Sequence, residues 1–148
     1  EENQSRKERY QGYVDALNIH NIPLDKSLIH FWDRDTGFKT SPIELLNKTI
    51  VPTAFFTQHL AITTDLLKIF NKEGIQIPKQ VSVVAFDEIP MVEMFKVPIT
   101  VVQQSSYSLG VESAKLLFES LLNTDKSVTL KKVVVPCTLV ERDSCSHM

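Results

Sequence analysis

The chain has no hydrophobic run approaching the roughly 18 residues that a bilayer crossing needs, so no membrane span is expected. It also lacks a basic cluster. Sixteen Lys and Arg are scattered among 148 residues against eighteen Asp and Glu, for a formal net charge of -2. No basic block is longer than Lys131-Lys132. Domains that read DNA carry their cations on one face, so this chain is not expected to touch DNA by itself. Cysteine is scarce. Cys137 and Cys145 have no metal-ligand partners at standard spacing and are read as reduced thiols of a cytoplasmic protein. No metal and no cofactor are expected. There is no Gly-rich phosphate loop and no Gly-x-Ser-x-Gly elbow, and His20, His30, His59 and His147 have no obvious nucleophile partner, so an enzyme is not expected either. The polar opening Glu1-Glu2-Asn3-Gln4-Ser5-Arg6-Lys7 does not have the form of a signal peptide.

What is present is enough apolar content, 43%, for one core. Val81-Ser82-Val83-Val84-Ala85-Phe86-Asp87 is the most informative stretch. Four β-favouring residues without a charge predict a parallel strand covered on both faces. It ends in a carboxylate, and in open α/β sheets ligands sit beyond the carboxyl ends of the strands. A carboxylate there suits the hydroxyls of a sugar or nucleoside.

Around that strand, helical and extended patterns alternate. Ser5-Arg6-Lys7-Glu8 reads as a capping box, followed by the helical stripe Tyr10, Tyr13, Val14, Leu17. Gly12 within it suggests close packing against a neighbour. Leu28–Trp32 reads as a short strand and Asp33–Gly37 as a polar loop. Ser41-Pro42 caps a helix whose Ile43, Leu45 and Leu46 face inward. Thr53–Thr57 is a strand, His59–Lys72 a helix that stops at Gly74, and Ile99–Val102 a further strand. Ser105–Leu122 is a long helix with Tyr107, Val111, Ala114, Leu117, Phe118 and Leu121 inward. Val133–Val135 is a last strand. Alternation of this kind predicts an α/β fold with a parallel sheet flanked by helices.

Taken in order, the segments resemble the LacI/GalR family of bacterial transcriptional regulators. The resemblance is carried by Ser5-x-x-x-Arg9-x-x-Gly12-Tyr13-x-x-Ala16-Leu17, Pro52-Thr53-Ala54 and Gly74-x-x-x-Pro78-x-x-Val81-Ser82-Val83-Val84-x-Phe86-Asp87. Thr100-x-x-x-Gln104, Leu109-Gly110-x-x-x-Ala114, Pro136-x-x-Leu139-Val140 and Arg142-x-Ser144 complete it. Members have a helix-turn-helix followed by a two-lobed effector domain of the type I periplasmic-binding-protein fold. The chain resembles the second part of that effector domain, without the helix-turn-helix. The resemblance implies a C-terminal lobe over residues 1–98, a crossover strand and helix of the N-terminal lobe over 99–136, and a C-terminal tail over 137–148.

The resemblance also implies an effector site. Arg9 matches the arginine that grips the effector, its fork of donors suiting hydroxyl pairs or a carboxylate. Trp32 matches a position where an aromatic ring packs on the effector, with Asp33 beside it as a weaker hydroxyl acceptor. Asp87 is the principal acceptor, and its alternative role is a helix N-cap. Gln104 lies near the lobe crossover. His59-Leu60 departs from the family's usual Asn-Asp. An imidazole offers one donor and one acceptor in place of the asparagine, whereas Leu60 accepts nothing. Thr63 and Asp65 replace the family's Ala and Gly on the same helix. The effector-binding set is therefore Arg9, Trp32, His59, Asp87 and Gln104. Glu93 and Lys96 read as surface.

Ile62, Leu66, Ile69, Ile89, Met91, Val92, Met94 and Phe95 are expected to form a homodimer face, with the methionines lending it adaptability. The function implied is that of the effector-sensing half of a repressor. A sugar or related metabolite binds between two lobes, and operator DNA is contacted only through the missing N-terminal domain. A corepressor protein is not specified. The alternative is an exported sugar-binding receptor of a transport system on the same fold.

Overall fold

The computed structural model describes residues 4–47, 51–122 and 131–146. The polar residues 1–3, residues 123–130 of the expected crossover, and His147-Met148 of the expected tail lie outside the described residues. Helix α1 (Gln4–Ile19) is followed by a two-stranded hairpin, β1 (Trp32–Asp33) with β2 (Gly37–Phe38), and by helix α2 (Pro42–Leu46). Then come β3 (Ala54–Thr57), α3 (Leu60–Lys72), β4 (Ser82–Phe86), β5 (Thr100–Gln103), α4 (Ser106–Leu122) and β6 (Thr138–Val140).

β3, β4 and β5 form a parallel sheet, with Ala54 opposite Ser82 and Val84 opposite Thr100; β6 joins the β5 edge antiparallel, Val101 facing Val140. Val81, Val83 and Ala85 alternate onto one face and are fully buried. They meet Ile99 and Val101 from the β5 segment and Leu66 and Phe70 from α3. Phe70 also meets the edge of Phe55 at 5.3 Å. Burial of each of the larger side chains is worth about 1.5–3 kcal/mol, and this cluster holds α3 against the sheet. The two threonines in this layer satisfy each other: the Thr57 and Thr63 hydroxyls are 2.8 Å apart.

Local chemistry sets the helix ends. The Ser41 hydroxyl accepts from the Ile43 amide with Pro42 at the first helical position, as predicted. α3 stops at Gly74, whose φ of +71° is left-handed, and the Ile75 amide closes the end onto the Phe70 carbonyl.

Several expectations change. α1 starts at Gln4, so Ser5 lies in its first turn instead of capping it. Gly12 faces open space: a Cβ there would meet nothing within 4 Å, so close packing does not explain it. The predicted strand at Leu28–Trp32 is a 3-10 turn (Lys26–Leu28) leading into a strand of only two residues, and the Asp33–Gly37 loop is the turn of its hairpin. The strand expected at Val133–Val135 forms at Thr138–Val140, because the free edge of β5 is reached only after Pro136. β5 is hydrogen-bonded into the same sheet as β3 and β4. Within the 137–148 segment Ser144 is wholly buried, its hydroxyl donating to the Val83 carbonyl at 2.6 Å and accepting from the Thr100 amide at 2.8 Å. α4 buries none of its residues. Tyr107, Leu117, Phe118 and Leu121, expected inward, are exposed, because no other described element covers that stripe.

Candidate ligand-binding site

Five side chains chosen from the sequence meet beyond the carboxyl ends of β3, β4 and β5. Arg9, from the middle of α1, donates to the Gln58 carbonyl at 2.6 Å, directly after β3. Its guanidinium lies 3.7 Å over the Phe86 ring and 3.9 Å from the Asp87 carboxylate. The ring and the carboxylate both favour the cation. Asp87 follows β4 with a left-handed φ of +75°, which aspartate tolerates better than most residues. Its amide donates to the Val102 carbonyl at 3.0 Å, and its Oδ1 accepts from Gln104 Nε2 at 2.8 Å. No helix begins at Asp87, so the N-cap alternative does not apply.

The second half of the site is aromatic. Trp32 and His59 meet edge to face at 5.3 Å. His59 stands at the N-cap of α3 without a side-chain capping bond, and its Nε2 is buried with no hydrogen-bond partner. Burial first, then the charges of Arg6 and Arg9, hold the imidazole below its usual range; Asp87 pulls the other way and Arg34 adds to the depression. The neutral ring therefore presents one donor and one acceptor. Trp32 Nε1 donates to Asp65 Oδ2 at 2.8 Å. Asp65 itself lies 3.6 Å from Lys68. Asp65 was noted from sequence only as a departure from the family, and nothing in its helical spacing announces that it orients Trp32 from 33 residues away.

Asp33 is not free to serve a ligand through Oδ1. That oxygen accepts from the Asp35 amide and from the amide and hydroxyl of Thr36, holding the hairpin turn. Those backbone bonds lead in lowering its carboxyl below the ordinary range.

The residues expected at a dimer face separate. Leu66 (0% exposed), Ile89 (4%) and Val92 (7%) belong to the chain's own interior and have no side chain to offer a partner. Ile62 and Ile69 are half-buried, whereas Met91, Met94 and Phe95 are exposed, as are Glu93 and Lys96. Met91 is left-handed and begins the 3-10 turn Val92–Met94, which puts Val92 inward and both methionines outward.

Next to the site lies a carboxylate that the sequence reading passed over. Glu88 accepts from both ends of the Arg142 fork, at 3.0 and 2.8 Å. Arg142 also donates to the Ile99 carbonyl at 2.8 Å, and Gln103 Nε2 donates to Glu88 at 3.2 Å. The hydrogen bonds from Arg142 are the main reason that the Glu88 carboxyl is held below its usual range. Arg142-x-Ser144 carried the family resemblance without pointing to this role. Among the described residues, no group of three or more His, Cys, Asp or Glu could hold a metal ion, and no helix is long and apolar enough to cross a membrane.

An open sheet with polar side chains gathered beyond the carboxyl ends of its parallel strands is the layout of a small-molecule binding domain. The chain belongs to the periplasmic binding protein-like domain family, whose sequence pattern matches residues 1–145. Over 141 residues it is 33% identical to the HTH-type transcriptional regulator MalR of Clostridium butyricum, covering 95% of this chain and 41% of MalR. Among solved structures, a LacI transcriptional regulator from Bacillus cereus subsp. cytotoxis superposes with a TM-score of 0.79 at 31% identity, covering 95% of this chain and 50% of that one. A LacI family regulator from Enterococcus faecium with bound ribose gives a TM-score of 0.72 at 26% identity, over 93% of this chain and 50% of the other. The chain thus spans about half the length of these relatives or less. Its similarity is to the effector part of LacI-type regulators.

Proposed function

We propose that the chain is the effector-sensing portion of a bacterial LacI-type transcriptional regulator acting as a repressor in the cytoplasm. A small sugar or related metabolite lies against the wall formed by Arg9, Trp32, His59 and Asp87, with Gln104 at its edge. Arg9 and Asp87 hold hydroxyls, Trp32 covers an apolar sugar face, and the unpartnered His59 Nε2 gains a partner. The carrying observation is the convergence of these groups at the ends of three parallel strands, with a buried ring nitrogen left unsatisfied. The ribose-bound relative supports the ligand class.

In this reading residues 1–98 with β5 and β6 form one lobe, and α4 belongs to a second. The other wall of the cleft and the operator-binding domain are contributed from outside this chain. Ligand favours one relative setting of the lobes, and the same coupling acts in reverse on operator affinity. The chain binds and transmits and performs no catalysis. A second copy packs on the exposed Met91, Met94 and Phe95, with Ile62 and Ile69 beside them.

Trp32 is the chain's one tryptophan, so its emission reports the site directly. Titration with ribose should change that emission at millimolar rather than micromolar ligand, because only one wall is present. Asp87→Ala should remove the change. No emission change with ribose or a panel of other sugars and nucleosides, up to solubility, would reject the effector reading.

A further inference from the structure

The chain leaves the sheet after Gln103 and returns to it at Thr138, and α4 lies in between. Two consecutive carboxylates bind the outgoing end of this excursion and the segment that follows the returning strand. Asp87 accepts from Gln104 and Glu88 from Gln103 on the outgoing side. After β6, Glu88 takes both arms of Arg142, which also holds the Ile99 carbonyl just before β5. The Arg142 backbone is itself pinned, its amide donating to the Thr100 hydroxyl at 2.9 Å and its carbonyl accepting from that hydroxyl at 3.2 Å. Glu88 also accepts from the Ile89 amide at 3.0 Å, fixing the turn that follows Asp87. A planar two-armed pair of this kind specifies orientation as well as attraction.

We propose that the Glu88–Arg142 pair is a positioning clamp that holds Asp87 in its left-handed conformation and ties it to Gln103-Gln104, where the chain leaves the sheet, and to the segment just after the returning strand β6. Neither residue touches the ligand. Through the clamp, a group that engages Asp87 is felt where the chain leaves the sheet and at the segment that follows the returning strand. Asp87 is already shared with Gln104, so a ligand hydroxyl on Asp87 competes with or strengthens a contact that belongs to the outgoing strand. The part of this proposal that concerns a ligand rests on the effector reading above; the clamp itself does not.

The test is amide hydrogen exchange on the 148-residue chain without ligand, comparing wild type with Arg142→Lys and Glu88→Gln. Lysine keeps the charge and loses the fork. The probes are the amides of Asp87, which donates to Val102, and of Thr100, which donates to Ser144. Core amides of α3 around Leu66 and Phe70 serve as the reference for global opening. The clamp predicts that both variants raise Asp87 exchange by about tenfold or more while the α3 reference stays within about twofold. The exchanged pair Glu88→Arg with Arg142→Glu should recover part of the Asp87 protection. Unchanged Asp87 exchange in either variant overturns the proposal. So does an equal rise at Asp87 and in α3, which would make the pair a general stabiliser. If Arg142→Lys does not fold, the Glu88→Gln comparison decides alone. Titrations with ribose and the panel of other sugars and nucleosides that all leave Trp32 silent would reject the effector reading while leaving these exchange results standing.

Discussion

Trp32 and Asp65 are joined by a 2.8 Å hydrogen bond from the indole nitrogen to the carboxylate, across 33 residues of chain. The bond fixes the plane of the ring, which also makes an edge contact with His59. Asp65→Ala should shift Trp32 emission to the red and cost about 1–2 kcal/mol of stability. Unchanged emission and an unchanged urea midpoint would show that packing alone orients the ring.

Asp87 combines a left-handed backbone with a side chain aimed into the site. The two properties separate by substitution. Asp87→Gly relaxes the backbone and should keep stability within about 0.5 kcal/mol, whereas Asp87→Ala should lose about 1–2 kcal/mol. Both should lose any ribose-dependent change in Trp32 emission. Equal stability of the glycine and alanine variants would mean that the left-handed turn is not maintained in solution.

Ser144 occupies a sealed position between β4 and β5, giving its proton to Val83 and accepting one from Thr100. Ser144→Ala leaves both backbone groups without that partner where water does not reach, and should cost about 2–4 kcal/mol by urea unfolding. Ser146→Ala, at an exposed residue, should stay within about 0.5 kcal/mol. A cost for Ser144→Ala no larger than for Ser146→Ala would contradict the burial of Ser144 between the strands.

Acid should weaken the fold in two stages. His59 is held below its ordinary value of 6.5 chiefly by burial, so the unfolded chain takes up its proton first and stability falls as pH drops below about 6.5. Glu88 is held below its ordinary value of 4.5 chiefly by Arg142, so its contribution is complete above about 4.5 and is lost as pH falls through the lowered folded value. His59→Gln should remove the first stage and Glu88→Gln should reduce the second, as read from urea midpoints between neutral and acid pH. A His59→Gln profile that overlays wild type would contradict the burial of that ring.

Three substitutions grade the packing. Leu66→Ala, in the core, should cost about 2–5 kcal/mol. Phe118→Ser, on the exposed face of α4, should cost this chain under about 0.5 kcal/mol. Gly12→Ala should add about 0.5–1 kcal/mol, since a methyl group there meets nothing. A large loss in Phe118→Ser would show that α4 is covered in solution by a second copy or by another part of the chain.

Periodicity and punctuation alone located most helices and parallel strands. The Ser41-Pro42 cap, the Gly74 stop and the uncharged Val81–Phe86 run each act within a few residues of themselves, so the sequence already contains their cause. The same is true of Asp87 at a strand end, and its match to a family motif placed Arg9, Trp32 and Gln104 with it. Contacts between distant segments were not legible. The amphipathic pattern of Ser106–Leu122 says that the helix has an apolar face but not whether anything covers it. The run Ile89–Phe95 is apolar apart from Glu93, and only the left-handed turn at Met91 sends Val92 inward and the methionines outward. Val133–Val135 has the better strand composition, yet Thr138–Val140 pairs, because a strand needs an edge within reach as well as propensity. Local sequence thus determined where the chain coils, extends and ends its elements. Tertiary structure alone decided which polar groups meet, as with Trp32 and Asp65 or Glu88 and Arg142. Hydrogen bonds and burial depend on distances between segments dozens of residues apart, and those distances exist only once the sheet has formed.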